Sequence, residues 1–214
     1  MVIEENSLPV KLLLGCFMML LVSGCATLNK DECLYSDWRL IGFEDGSAGQ
    51  PGSRIGEHRK ACARHGIKPD VQAYQAGRKE GLEAYCQEIK GYNIGLSGRR
   101  YQGVCPRALE DRFLAGYDLG RAIYIATAKV YDLQTGIRAS ENRLVENKKA
   151  LEEAEAKLVS YGLSRTERVE ILADIKSLAK EQEKLENDIS QLNRELALAE
   201  DDLQKLKEND RYGG

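Results

Sequence analysis

Two histidines, one tryptophan, three phenylalanines and four prolines are few for a chain of 214 residues. No H-E-x-x-H pair, no G-x-S-x-G turn and no phosphate-cradling glycine loop with its lysine occurs, so the common metalloprotease, serine-hydrolase and nucleotide-binding chemistries are excluded. Apolar–polar alternation of useful strand length is missing too, which sets sheet architectures aside. Aromatic residues make up 7% of the chain and charged residues 30%, a balance that places part of it outside a globular core. Neither sign of charge is in large excess: 15 basic and 13 acidic residues lie between Ala26 and Ile125, and 15 and 19 between Ala126 and Gly214. Mixed charges of this kind are solvated helix faces and argue against a nucleic-acid partner.

What is present begins with an apolar stretch from Leu12 to Val22, interrupted only by Gly15 and Cys16. It has the length of a signal-peptide core and is too short to span a bilayer. It ends in Leu21-Val22-Ser23-Gly24-Cys25, which resembles a bacterial lipobox. The resemblance implies a signal peptide over residues 1–24, cleavage before Cys25, a lipid such as palmitate on that cysteine and tethering to a membrane of a Gram-negative envelope. Ala26, standing where an aspartate would retain a sorted lipoprotein at the inner membrane, implies the outer membrane and its periplasmic face. Each buried CH₂ of the acyl chains adds about 0.8 kcal/mol, so a multiply acylated residue holds the protein without further anchors. Glu4 and Glu5 precede a single Lys11, an unusual start for such a signal; initiation at Val10 from a GTG codon would give a conventional one.

Removing Cys16 with the signal and assigning Cys25 to the lipid leaves Cys33, Cys62, Cys86 and Cys105. An even number in an oxidising compartment reads as two disulfides. Four cysteines permit three pairings, between which sequence alone does not select. Cys33 with Cys62 and Cys86 with Cys105 are favoured because each closes a local loop around one helix-and-turn unit. His58, Cys62 and His65 share a helix face at i, i+4 and i+7, and all three residue types ligate zinc. A single thiol in that compartment favours instead an oxidised Cys62 with both histidines exposed, so no metal and no cofactor are expected.

Glycine is concentrated in the first part of the mature chain. Gly42 and Gly46, Gly77 and Gly81, Gly91 and Gly95, and Gly116 and Gly120 each form G-x-x-x-G, with Tyr74 and Phe113 three residues before two of the motifs and Trp38 four before another. This is a degenerate internal repeat of a short helical unit. An interior glycine costs a helix about 1 kcal/mol against alanine. Spacing by four stacks the glycines on one face, where two backbones can approach closely and leave room for tyrosine rings. Glu44, Asp45, Arg78, Lys79 and Glu80 lie inside the motifs and argue against a zipper that enters the membrane. Breakers place the helices: a loop over Asp45 to Arg54 containing Pro51, a stop and N-cap at Pro69-Asp70 before a helix to about Cys86, and Pro106 in the first turn of the next.

The order Cys33, Asp37-Trp38, Gly42-Phe43-Glu44-Asp45-Gly46, Cys62-Ala63-Arg64-His65-Gly66, Tyr74-Gln75-Ala76-Gly77-Arg78, Tyr85-Cys86, Gly91-Tyr92, Val104-Cys105-Pro106 and Phe113-Leu114-Ala115-Gly116-Tyr117 resembles the lipoprotein family called domain of unknown function 2799. The resemblance covers under half the chain and implies an envelope lipoprotein; it brings no activity and no catalytic residues. Asp37 beside Trp38 and the pair Glu44-Asp45 are weighed as acids in an apolar pocket, but caps and solvated faces are the commoner use of such residues. Tyr74, Tyr85, Tyr92, Tyr101, Tyr117 and Tyr124 read as core positions whose hydroxyls reach the surface, in preference to a ligand platform.

The strongest periodicity is C-terminal. Ile171, Ile175, Leu178, Gln182, Leu185, Ile189, Leu192, Leu196, Ala199, Leu203 and Leu206 alternate in steps of four and three. Upstream, Ile123, Ala126, Val130, Leu133, Ile137, Ser140, Leu144, Asn147, Leu151, Ala154, Leu158 and Tyr161 do the same. Gly162 ends one helix, and Ser164 with Glu167 forms a capping box for the next, so the arms fold back antiparallel. Reflection about this turn sets Leu144 against Leu185 and Asn147 against Gln182, an amide pair expected to fix the register. Self-association of two chains through the same seams is the alternative, which the turn chemistry disfavours.

The expected architecture is all-α: a signal peptide over 1–24, a small disulfide-stapled, glycine-rich helical head over 25–124, and a long antiparallel coiled-coil hairpin over 125–214. The expected role is that of a non-enzymatic interaction or scaffold lipoprotein, tethered to the membrane at Cys25 and meeting an envelope protein partner through the hairpin. The alternative is an envelope enzyme or small-ligand binder using the tyrosine- and glycine-rich head, with Asp37, Glu44, His58 or His65 converging around aromatics.

Overall fold

A computed structural model describes residues 29–213, so the signal segment 1–24, Cys16 and Cys25 lie outside the described residues. Within them the chain is helical: α1 (Lys30–Tyr35), α2 (Trp38–Ser47), α3 (Arg54–Ala63), α4 (Val71–Tyr85), α5 (Glu88–Leu96), α6 (Arg107–Leu158) and α7 (Arg165–Glu208). None of these helices is long and apolar enough to cross a membrane. Two compact units result, one formed by the described residues up to Tyr85 with Gln102–Pro106, the other by Cys86–Tyr101 with the described residues from Arg107 on. The division falls earlier than the composition change near residue 124. The reason is that α6 runs unbroken from Arg107, so the second pair of glycine motifs belongs to the same unit as the long helices.

In the first unit, side-chain caps start three of the four helices, all but α3. Asn29 and Glu32 form a reciprocal capping box on α1, Asp37 accepts from the Arg39 and Leu40 amides of α2, and Asp70 accepts from the Gln72 and Ala73 amides of α4. α2 extends through Ser47, three residues into the expected loop, because Gly46 is a packing position and not a breaker. A Cβ at Gly42 would overlap the Tyr74 carbonyl, and one at Gly46 the Arg78 carbonyl; reciprocally, Gly77 faces the Arg39 carbonyl and Gly81 that of Phe43. Rising numbers meet rising numbers, so α2 and α4 run parallel with their backbones in contact. Each glycine Cα–H is thereby aimed at a carbonyl oxygen, a weak hydrogen bond of about 0.5–1 kcal/mol. α3 lies in the crossover that a parallel pair requires. It is stapled by the Cys33–Cys62 disulfide, which spans 29 residues and on the chain-entropy model stabilises the fold by about 3–4 kcal/mol. Cys33, Trp38, Cys62 and Tyr74 form the core, with Ile41 and Ile55 packed on it.

The second unit builds the same pair again. Gly91 and Gly95 of α5 face the carbonyls of Phe113 and Tyr117, while Gly116 and Gly120 of α6 face those of Glu88 and Tyr92. The turns that follow α2 and α5 match as well. The Tyr85 ring lies against Gly49 and the Tyr124 ring against Gly98, and a guanidinium closes each turn, Arg78 donating to the Gln50 carbonyl and Arg121 to that of Gly98. The repeating unit is therefore a parallel helix pair, not a single helix. Cys86 and Cys105 are also disulfide-bonded, so the fold carries two disulfides.

Beyond the glycine pair, α6 and α7 form a hairpin. Every seam position from Ile123 to Leu158 and from Ile171 to Leu206 is buried or half-buried, with exposed residues on the flanks. Tyr161 is fully exposed and leaves the seam, because the helix has already ended at Leu158. At the turn, Gly162 adopts φ +88°, which favours glycine, and Ser164 and Glu167 cap α7 reciprocally. Arg168 reaches back to the Leu158 and Ser160 carbonyls and satisfies the end of α6. Arg143 pairs with Glu181 and Lys148 with Glu186 across the arms. The expected Asn147–Gln182 amide pair does not form. Gln182 is half-exposed and donates to Glu186 one turn along its own helix, leaving the buried Asn147 Oδ1 without a hydrogen-bond partner among the described residues.

Glycine substitutions separate packing from helix propensity. Gly77→Ala places a methyl on the Arg39 backbone, which has no rotamer to yield, so we predict a loss of about 1–3 kcal/mol in urea unfolding despite the better helix former. Gly136→Ala, whose Cβ would first meet a Leu192 methyl at 3.9 Å, should stabilise by up to about 1 kcal/mol. Equal effects at the two positions would contradict the backbone contact.

Candidate functional site

Three helices of the first unit each contribute one polar side chain to a buried cluster. Asp45 of α2 accepts from the Tyr74 hydroxyl of α4 at 2.7 Å and from Nε2 of His58, on α3, at 2.9 Å through the same oxygen. His58 is only 6% exposed, with the Trp38 ring edge-on at 6.3 Å and Tyr74 at 6.0 Å. Burial first, then the hydrogen bond to Asp45 and its charge, hold the Tyr74 phenol well above its ordinary range, with Arg78 and Arg54 acting in the opposite direction. The phenol therefore stays protonated and donating. His58 Nδ1 is buried and has no hydrogen-bond partner among the described residues. Chemically, the cluster ties α2, α3 and α4 together through one carboxylate.

Other residues singled out in the sequence are dispersed. Asp37 is an exposed cap, Glu44 and His65 are exposed, and none of them joins Asp45 and His58. Cys62 is bonded to Cys33, so its sulfur is not a thiolate ligand, and His58 is buried rather than exposed. No group of three or more histidines, cysteines or carboxylates able to hold a metal occurs among the described residues. The Asp45–His58–Tyr74 set was not legible beforehand, because its members lie 13 and 29 residues apart with no motif to link them. Of the tyrosines, Tyr74, Tyr85 and Tyr92 are buried, Tyr101 and Tyr117 half-buried, and Tyr124 exposed. The Tyr74 and Tyr92 hydroxyls meet carboxylates, and that of Tyr117 accepts from the Tyr101 amide while donating to the Arg99 carbonyl.

The second unit offers surface. Between the arms, Ala122, Ile125 and Ala126 of α6 and Ala199 and Leu206 of α7 line an apolar cleft of about 630 Å³, with Lys129, Asp202 and Lys205 at its edge. Ile125 is 54% exposed. At the turn, Val159, Tyr161, Val169 and Leu172 are exposed apolar or aromatic side chains. The residues after α7 return to α5: Tyr92 donates to Asp210, Arg211 pairs with Glu88, and the Tyr212 ring packs on Tyr92 at 4.8 Å. Burial and the Asp210 hydrogen bond push the Tyr92 phenol up to about 12.

Residues 37–122 match a family described as protein of unknown function (DUF2799). The matched segment contains both glycine-paired helix sets and ends where the hairpin seam begins at Ile123. No curated protein and no solved structure matches the chain.

Removing the shared acceptor should cost more than removing one donor. Asp45→Ala strands the Tyr74 hydroxyl and the His58 Nε2, and we expect a loss of about 3 kcal/mol, against about 1 kcal/mol for Tyr74→Phe, both read by urea unfolding. Similar small losses would show that the cluster is not load-sharing. A second prediction concerns alkali. The Tyr92 value lies above its ordinary 10.0, so its contribution to stability is complete below pH 10 and is lost as pH rises towards about 12. Tyr92→Phe should flatten that decline in pH-dependent melting; an unchanged slope would contradict the tyrosine's part in it.

Proposed function

We propose that the chain is a lipoprotein held at the periplasmic face of the outer membrane by a lipid on Cys25, and that it acts without catalysis, as an interaction or scaffold protein whose hairpin meets an envelope protein partner. The observation that carries this reading is the hairpin tip. Its seam residues are covered by the opposite arm, yet Val159, Tyr161, Val169 and Leu172 remain exposed on either side of a fully capped turn. Folding does not require apolar residues there, since Gly162, Ser164, Glu167 and Arg168 complete the turn by themselves. Tyrosine at an exposed tip supplies a large amphipathic contact with little rotamer entropy to lose. The mixed charge of the arms, with Arg143–Glu181 and Lys148–Glu186 pairs across the seam, keeps their flanks solvated and leaves the tip as the apolar feature of that end.

Replacing residues 161–166 by a plain turn that retains the glycine stop and serine cap, together with Val159→Ser, Val169→Gln and Leu172→Gln, should preserve helicity and abolish capture of the partner in an in-cell crosslinking pull-down. An unchanged set of crosslinked proteins would overturn the assignment of the contact to the tip.

A further inference from the structure

The first unit carries a second feature that the hairpin reading does not use. α3 presents Gly56, Arg59, Lys60 and Ala63 along one face, at the i, i+3, i+4 and i+7 spacing of neighbours on a helix. Ile67, Lys68, Pro69 and Val71 form the facing wall, and the groove between them has a volume of about 700 Å³. A Cβ at Gly56 would meet nothing within 4 Å, so that end of the groove is open. The walls are apolar at Ala63, Ile67, Pro69 and Val71, while Arg59, Lys60 and Lys68 are exposed.

The nearby carboxylates are already engaged: Glu57 pairs with Arg54, and Asp70 accepts from the first amides of α4. Arg59, Lys60, Arg64 and Lys68 form no ion pair among the described residues. Three of these cations, Arg59, Lys60 and Lys68, line the groove, and three cations without an ion pair around an apolar floor select an anion that carries an apolar part. Long basic side chains lay their methylenes on apolar surface and hold their charges outward, a geometry suited to a lipid headgroup region.

We propose that this groove docks the first unit on an anionic phospholipid surface, with lipid phosphate between Arg59, Lys60 and Lys68 and the glycerol and upper acyl carbons against the apolar walls. The inference rests on the reading that Cys25 is lipidated, which ties this unit, described from Asn29 onward, to a membrane by a short segment of chain. Docking then gives the tethered protein a fixed face towards the lipid.

The test uses the full chain from residue 25 with Cys25→Ser, so that no acyl chain carries the binding, sedimented with vesicles of phosphatidylcholine alone or mixed with phosphatidylglycerol. Binding should require phosphatidylglycerol and weaken with salt. Lys60→Glu/Lys68→Glu should weaken it more than tenfold, since each basic residue at an anionic surface is worth about fivefold in affinity. Lys180→Glu/Lys184→Glu, on the exposed flank of α7, should leave it unchanged, and circular dichroism should give the same helicity for all three proteins. Equal binding to phosphatidylcholine, or binding indifferent to the Lys60 and Lys68 reversals, overturns the proposal. So does saturable binding of inorganic phosphate, or of isolated sacculi, without binding to vesicles. Labelling of the unaltered chain with palmitate in cells reads the lipidation of Cys25 separately; its absence beside intact vesicle binding would remove the anchor and leave the groove.

Discussion

The contact between a glycine Cα and a carbonyl oxygen of the neighbouring helix is the constraint on which the rest depends. Eight glycines make it, four in each unit, and at each of them a methyl group would overlap backbone. Because the helices touch through their backbones, the association loses no side-chain entropy at the contact, which offsets part of the helix-propensity cost of glycine. Parallel pairing follows from the same geometry and dictates the connections. The chain must return along the pair, through α3 and its disulfide for the first pair and through residues 97–106 for the second.

The close approach also places the large side chains. Tyr74 and Phe113 stand three residues before their glycines and are completely buried, yet they use the position differently. Tyr74 brings a hydroxyl to Asp45, and with it His58 from the crossover helix, whereas Phe113 packs its ring on Tyr101 and Tyr117. The duplicated frame thus carries a polar core in one unit and an aromatic one in the other. The hairpin continues from the aromatic frame, because α6 is both the second helix of that pair and the first arm of the hairpin.

Much of this was legible in the sequence for physical reasons. The glycine spacing of four and the apolar steps of three and four are local signals, and both mark helix faces that proved to be buried. Caps at Asp37, Asp70 and Ser164 were likewise readable from residue type and position. What escaped is non-local or competitive. Asp45 joins His58 and Tyr74 only after three helices have assembled, and Asp210 meets Tyr92 from 118 residues away. Gln182 had two acceptable partners, and it bonds the carboxylate one turn along its own helix, which leaves the buried Asn147 Oδ1 without a partner among the described residues. The loop expected from Asp45 starts after Ser47 instead, because glycine serves both turns and close packing, and at Gly46 only the partner helix decides between them.

The central claim is that one parallel, glycine-mediated helix pair is built twice. Nuclear Overhauser contacts from the glycine Hα protons of the isotope-labelled protein test it most directly. Strong contacts are predicted from Gly77 to the Arg39 Hα, where a Cβ would lie 3.0 Å from the Arg39 Cα, together with equivalent cross-helix contacts from Gly116 to Glu88. Contacts in one pair and none at the matching positions of the other, or contacts in antiparallel register, would contradict it.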